Sequence, residues 1–178
     1  MNYYVIQVKS RFEEKYIQFF KSIYPESGLK LYFPKRELKI MKAGKVKISR
    51  FPVFPGYIFI EASADEIIFS QWKIKKIDGF FRFLVSNRNI TPLSANDVQL
   101  AKRFIDTPDS LAGVSKVYFD ENSRIVVIEG ILAGLEGRII KVDKRKGRAK
   151  VKLDLYEDSF AIDLAFEVMG SAKEGIKP

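Results

Sequence analysis

The stretch Phe51-Pro52-Val53-Phe54-Pro55-Gly56-Tyr57-Ile58-Phe59-Ile60-Glu61 combines a rigid apolar corner with a strand-like run. Each proline fixes its own φ angle and removes a backbone donor, while Gly56 permits a close backbone approach. Successive side chains of the strand that follows point to opposite faces, so we expect some of these aromatic side chains to lie outside the core. An exposed aromatic patch is typical of a protein-binding surface. On the residues alone, the alternative that all of them are core stays open.

The elements around this corner predict an α+β domain with an antiparallel sheet packed against helices. Ser10 and Glu13 match a capping box that opens a helix, and Pro25 with Gly28 ends it. The other predicted elements are strands over Tyr3–Val8 and Phe80–Val85 and helices over Asp65–Lys75, capped by Ser63 or Asp65, and Ala95–Ile105, capped by Ser94. The predicted domain spans residues 1–106.

After Asp106 the apolar periodicity weakens, and residues 107–121 predict a linker rich in turn residues. Short strand-like runs follow at 125–128, 137–142, 149–155 and 159–164. Several short strands within about fifty residues predict a small all-β barrel over residues 122–170. Residues 171–178 predict a disordered tail.

The chain of 178 residues contains no cysteine and no histidine. Thiolate ligands and nucleophiles, the commonest general base and the commonest metal ligand are therefore missing. No phosphate-binding loop or nucleophile motif is present either. We expect a non-enzymatic protein without cofactor or metal. Because no apolar stretch is long enough to span a bilayer and the start lacks a secretion-signal pattern, we also expect a cytoplasmic monomer with no membrane partner.

The net charge of +9 is concentrated in two segments. Residues 29–50 and residues 138–152 each carry eight Lys or Arg against one acid, so each sums to +7 and the remainder of the chain to −5. Two basic patches on an otherwise acidic chain indicate a polyanionic partner.

The second patch reads as a β-hairpin whose cations gather on one side. Val142, Val151 and Leu153 alternate with outward lysines, and Gly147 allows a tight turn and a close approach to phosphate. Such a cluster favours RNA, whose A-form helix is recognised largely through its backbone; the alternative is a solvated edge. The predicted RNA-binding residues are Lys141, Lys144, Arg145, Lys146, Arg148, Lys150 and Lys152.

Four strings carry a resemblance to the NusG family of transcription elongation factors. The opening strand Tyr3–Val8 and the motif Phe54-Pro55-Gly56-Tyr57-Ile58-Phe59-Ile60 resemble its N-terminal domain, and Gly134–Val142 resembles its KOW motif. The string Asp163–Val168 is similar to the family's C-terminal ending. The resemblance implies a domain that docks on RNA polymerase and promotes processive elongation, and a KOW barrel that recruits other partners. It assigns polymerase binding to Tyr4, Phe54, Pro55 and Tyr57.

The resemblance also bears on the remaining candidate residues. It implies that the basic arm, with Lys42, Lys45, Lys47 and Arg50, can face upstream DNA or nascent RNA; a solvated loop is the alternative. On the KOW barrel, Leu155 and Tyr156 correspond to an apolar pair that contacts protein partners, although the Gly-Arg that follows it in the housekeeping factor is replaced by Glu157 and Asp158. The very basic hairpin favours a specialised LoaP-like antitermination paralogue. A housekeeping pausing or Rho-coupling factor and a ribosome-associated RNA-binding protein are the alternatives.

Overall fold

The computed structural model describes residues 1–84 and 87–170, which form two compact units. Unit 1 comprises residues 1–34 and 54–105, and unit 2 comprises residues 35–53 and the chain from residue 106 onward. Val85, the last residue of one predicted strand, and the predicted tail 171–178 lie outside the described residues. The elements in chain order are β1 (Asn2–Val8), α1 (Glu13–Ile23), β2 (Lys30–Tyr32), β3 (Lys35–Lys42), β4 (Lys45–Pro52), β5 (Tyr57–Ala62), α2 (Ala64–Lys76), β6 (Phe80–Phe83), α3 (Ala95–Ile105), β7 (Leu111–Ala112), β8 (Ser115–Phe119), β9 (Ile125–Glu129), β10 (Ile139–Asp143), β11 (Arg148–Leu155) and β12 (Asp158–Val168).

Unit 1 is an antiparallel sheet of order β2-β5-β1-β6 with the helices α1, α2 and α3, as the sequence predicts. The face that carries Ile6 and Ile58 packs against Tyr16 of α1 and Ile74 of α2, and the Tyr16 hydroxyl donates to the Ile74 carbonyl at 2.6 Å. Burial and the neighbouring Tyr24 raise the pKa of Tyr16, which therefore stays a neutral donor. The opposite face carries Phe59, against which Phe54 of the corner packs, and Phe104 of α3 packs in turn against Phe54. Both faces of the sheet are therefore covered.

The predicted helix starts hold for two of the three helices. Ser63 and Glu66 form the capping box of α2, and the Ser94 hydroxyl accepts the Asp97 N–H of α3 at 3.2 Å. The predicted capping box at Ser10 is wrong, because α1 begins at Glu13, after Phe12, without a side-chain cap. Glu13 is instead buried and accepts the Gly56 N–H at 2.7 Å, which ties the start of α1 to the corner.

Unit 2 contains two sheets, of order β4-β3-β7 and β10-β11-β12-β8-β9. The four predicted strand runs of the C-terminal segment correspond to β9, β10, β11 and β12. Residues 107–121 differ from the predicted linker, because they contain β7, which pairs with β3, and β8, which pairs in parallel with β12. The β3–β4 hairpin, which we call the arm, also differs from its predicted place in the N-terminal domain. Its residues Arg36 and Leu38 are largely or fully buried within unit 2.

Candidate nucleic-acid interface

The β10–β11 hairpin displays its cations on one side, as the strand period predicts. Ala149, Val151 and Leu153 of β11 are fully buried, so Arg148, Lys150 and Lys152 project from the opposite face. Lys141 lies directly opposite Lys150 in the register and therefore shares that face.

Acidic side chains on the same face pair with several of these cations. Asp163 of β12 lies opposite Lys150 in the register and within 3.9 Å of both Arg148 and Lys150. Lys152 lies 3.8 Å from Asp154, and Lys146 lies 4.0 Å from Asp143. Sequence reasoning missed Asp163 because the register between β11 and β12 cannot be read from either strand alone.

At the turn of this hairpin, the cations differ in the contacts that they make with the rest of the protein. The Lys144 ammonium lies 4.0 Å from the centre of the Phe119 ring, a distance typical of a cation–π contact. Arg145 is exposed and, within the described part of the chain, forms no ion pair. Gly147 adopts a positive φ of 61° in the predicted tight turn, and a Cβ placed there would lie 2.7 Å from the Phe166 carbonyl oxygen. On the side where a Cβ would point, Gly147 therefore lies close to strand β12.

The arm is a two-stranded hairpin closed by Ala43 and Gly44, which both have positive φ. Its three distal lysines, Lys42, Lys45 and Lys47, are exposed and form no ion pair among residues 1–84 and 87–170. Arg50 lies 3.5 Å from Glu37 across the two strands, an exposed pair that contributes little stability. The predicted cations of the arm therefore remain available to a ligand mainly near its tip.

Two arginines join the arm to β11 and β12 within unit 2. The Arg36 Nε donates to the Asp163 carbonyl at 2.7 Å, and its Nη1 donates to the Pro52 carbonyl. The Arg148 Nη2 donates to the Lys39 carbonyl at 2.6 Å. Burial lowers the pKa of Arg36 to about 10, the Asp163 charge raises it and the Arg148 charge lowers it further, so Arg36 remains charged at neutral pH. We call Arg36, Arg148 and Asp163 the arginine latch.

The two basic patches meet in one unit and border a groove of about 490 Å³, which we call the arm groove. Its arm side consists of Lys39, Ile40, Met41 and Val46, and its hairpin side of Arg145, Lys146 and Arg148. The sequence predicted the two patches but not that they border the same groove.

The predicted polymerase-binding corner is placed differently from the expectation. Tyr4, Phe54 and Tyr57 are buried, Phe54 with only 1% of its surface exposed, so the expectation that aromatic side chains of the corner lie outside the core is wrong for Phe54 and Tyr57. The Phe54 ring packs edge-on against Phe59 and Phe104 at 5.4 and 5.9 Å. Pro55 is the exposed member of the predicted set.

The two residues of the predicted contact pair on the C-terminal segment, Leu155 and Tyr156, differ in their exposure. Leu155 is fully buried in the sheet, away from the surface that a partner contact requires. Tyr156 is exposed in the turn that follows, with φ at 56°.

Unit 1 carries an exposed aromatic patch that the sequence analysis missed. Phe69 and Trp72 of α2 are 74% and 52% exposed, and the Trp72 ring lies 5.8 Å from Tyr24. The Lys73 ammonium lies within 6 Å of all three rings. The surplus of apolar residues on the outer side of α2 was the available signal.

Other kinds of site are not evident in the described residues. Within residues 1–84 and 87–170, no group of three or more His, Cys, Asp or Glu residues is placed to hold a metal ion. Over the same residues, none of the helices has the length and apolarity that a membrane span requires.

The fold and the proline–glycine corner define a two-unit α/β protein, and comparison with known proteins identifies its family. Residues 1–102 match the family model described as "Transcription termination factor nusG". This match covers more than half of the chain, which therefore belongs to the NusG family.

Similar proteins extend over both units. The chain is 26% identical to the transcription termination/antitermination protein NusG of Borreliella burgdorferi, with 93% of this chain and 95% of that protein covered. It is 23% identical to the protein of the same name from Bacillus subtilis, with the same coverage. A solved structure of Thermotoga maritima NusG shares the fold at a TM-score of 0.50 and 15% identity, and covers 92% of this chain.

Proposed function

We propose that this protein is a transcription elongation and antitermination factor that binds RNA polymerase through unit 1 and RNA through unit 2. Membership of the NusG family supports a role in transcription. The proposal that unit 2 binds RNA is supported mainly by one observation: the two basic patches lie together in unit 2, around the arm groove. Binding the polymerase and the transcript together raises the effective concentration of each contact.

The basic surface of unit 2 is suited to a polyanion. Lys42, Lys45 and Lys47 on the arm and Lys141 and Arg145 on the hairpin lack ion-pair partners among the described residues. A polyanion relieves the mutual repulsion of these charges, and release of its counterions adds a driving force. The paired cations Lys150 and Lys152 contribute less, because a ligand must first displace Asp163 and Asp154.

Unit 1 offers two exposed apolar sites for a polymerase contact. Pro55 lies at the surface of the corner, above the buried Phe54. The aromatic patch of Tyr24, Phe69 and Trp72 is the second site, and large exposed aromatic residues are typical of the anchors of protein interfaces.

Within the family, we propose a specialised LoaP-like antitermination role rather than a housekeeping one. The turn after β11 presents Tyr156 with the acids Glu157 and Asp158, and Leu155 is buried. This acidic turn disfavours the partner contacts of the housekeeping factor, while the basic groove favours a transcript element. The proposed function involves no catalysis.

In vitro transcription through a terminator tests this role. We expect the protein to increase read-through by the cognate polymerase when the template encodes a structured leader upstream of the terminator. Enhanced termination or pausing on the same template would favour the housekeeping alternative, and no effect with a polymerase that binds the protein would contradict both.

The RNA contact is tested by the salt dependence of binding. The double variant Arg145→Glu and Lys146→Glu should bind a structured RNA more weakly, and the slope of log Kd against log salt should fall by about one for each phosphate that the variant no longer neutralises. The matched control, Lys9→Glu with Lys21→Glu in unit 1, makes the same change in net charge. Equal weakening in both double variants would show that only the net charge matters.

The polymerase contact is tested by pull-down with purified polymerase. Pro55→Glu probes the corner, and Phe69→Ser with Trp72→Ser probes the aromatic patch. Because these side chains are exposed, the variants should keep their fold, which circular dichroism checks. Undiminished polymerase binding in both variants would contradict the assignment of docking to these two sites.

A further inference from the structure

Three apolar side chains of the arm lie exposed among its cations: Met41, Val46 and Ile48. Met41 and Val46 are 69% and 62% exposed, and they lie directly opposite each other in the register, so they share one face of the hairpin. A merely solvated basic loop has no need of an apolar pair beside Lys42 and Lys45. The pair is explained if a ligand covers it.

The same two residues form part of the arm groove. Met41, Val46 and Ile40 supply apolar surface on the arm side, and Arg145, Lys146 and Arg148 supply positive charge on the hairpin side. The volume of about 490 Å³ lies within the range of small-ligand sites, about 300–1,000 Å³. The occupant should therefore carry a flat apolar part and an anionic part a short distance apart.

The arginine latch fixes the spacing between the two sides of the groove. The Arg148 bond to the Lys39 carbonyl, at 2.6 Å, connects a groove residue of the hairpin to a groove residue of the arm. The Arg36 bond to the Asp163 carbonyl holds the base of the arm on β12. A groove fixed before binding loses less conformational entropy when the ligand enters.

We propose that the arm groove holds one unstacked nucleotide of an RNA, with its base against Met41 and Val46 and its flanking phosphates against Arg145 and Lys146. The inference rests on the proposed function, RNA binding by unit 2, and narrows the class of RNA. A fully paired A-form helix keeps its bases stacked inside, whereas a bulge or loop can place a base in the groove. The ligand is thus a structured RNA with an unpaired nucleotide beside its stem.

Titration of the full-length protein with two RNA probes tests the proposal. One probe is a blunt RNA duplex, and the other is the same duplex with one bulged 2-aminopurine nucleotide. At a fixed, near-physiological salt concentration, we expect the bulged probe to bind about tenfold more tightly, because its base buries apolar surface against Met41 and Val46. The fluorescence of 2-aminopurine should change on binding, because its base moves from the bulge into the groove.

The double variant Met41→Ser with Val46→Ser should lose this preference and the fluorescence change while binding the plain duplex as the parent protein does. Ile128→Ser, which removes an exposed apolar residue of unit 2 outside the groove, is the control and should keep both. Equal affinity of the parent protein for the two probes would overturn the inference alone, and failure to bind either probe would overturn the proposed RNA function as well. Displacement of the bulged probe by polyglutamate at a similar concentration would show that only negative charge is recognised, which also overturns the inference.

Discussion

Strand alternation predicts exposed side chains both at the corner of unit 1 and on the β10–β11 hairpin of unit 2, but the structure confirms this exposure only on the hairpin. In both, strand alternation was expected to leave functional side chains outside the core. The rule holds at the hairpin, where Lys150 and Lys152 lie on the side away from the buried face. It fails at the corner, where Phe54 packs between Phe59 and Phe104. Alternation assigns a side chain to a face, but a side chain is exposed only if no other element covers that face.

Replacement of Phe54 should give the largest change in stability, and it distinguishes a buried core residue from a surface anchor for a partner. Phe54→Ala should lower the free energy of unfolding by about 3–5 kcal/mol, because a buried ring is removed and a cavity remains. Urea denaturation followed by circular dichroism measures the change. Pro55→Ala, at the exposed neighbour, should be close to neutral. If Phe54→Ala kept its stability and only weakened polymerase binding, Phe54 would be a surface anchor, contrary to its burial.

Glu13 provides the next test, because its carboxylate accepts a hydrogen bond from the Gly56 N–H of the corner. Glu13→Ala leaves the buried Gly56 N–H without its acceptor and should cost about 2 kcal/mol, as for hydrogen bonds that involve a charged group. Ser10→Ala should have almost no effect, whereas the predicted capping box would give it a cost of about 1 kcal/mol. Thermal unfolding of the two variants distinguishes the buried bond from the capping box. A larger decrease in unfolding temperature for Ser10→Ala than for Glu13→Ala would support the predicted capping box at Ser10.

On the hairpin, Gly147 reports how closely the turn is packed against β12. Gly147→Ala combines a positive φ of 61° with a Cβ only 2.7 Å from the Phe166 carbonyl, and we expect a loss of about 2 kcal/mol. Gly44→Ala in the turn of the arm is the control, because Gly44 also has a positive φ, 73°, but among the described residues nothing beyond its chain neighbours lies within 4 Å of its added Cβ. The difference in unfolding free energy between the variants isolates the steric contact. Equal losses would mean that backbone strain alone accounts for both.

The features that could be predicted from the sequence are those set by near neighbours in the chain. The caps at Ser63 and Ser94 and the alternation of β11 depend on residues a few positions apart. They follow from local rules of capping and strand geometry.

The features that could not be predicted depend on pairing between distant segments. Strand β8 pairs with the neighbouring β9, but its other partner, the parallel strand β12, lies about fifty residues further along the chain and cannot be read from the local sequence. The arm groove needs Arg148 to reach the Lys39 carbonyl, more than one hundred residues away in sequence. Composition identified both basic patches, but only long-range packing shows that they border one groove.

The smallest effect is expected at Glu61 on β5, where charge rather than packing decides stability. Its carboxylate accepts from the Tyr32 hydroxyl at 2.9 Å and from the Tyr3 hydroxyl at 3.1 Å, and lies 3.2 Å from the Lys30 ammonium. The Tyr32 hydrogen bond, with smaller contributions from Lys30 and Tyr3, lowers the pKa of Glu61 below its usual range. Because the folded-state pKa is lowered, this stabilisation is fully present above the pKa of the unfolded chain and is lost as the pH falls through the folded-state value. Glu61→Gln should therefore lower the unfolding temperature slightly at pH 7 and hardly at all at pH 3. An equal decrease at both pH values would show that Glu61 acts through shape and neutral hydrogen bonds rather than through its charge.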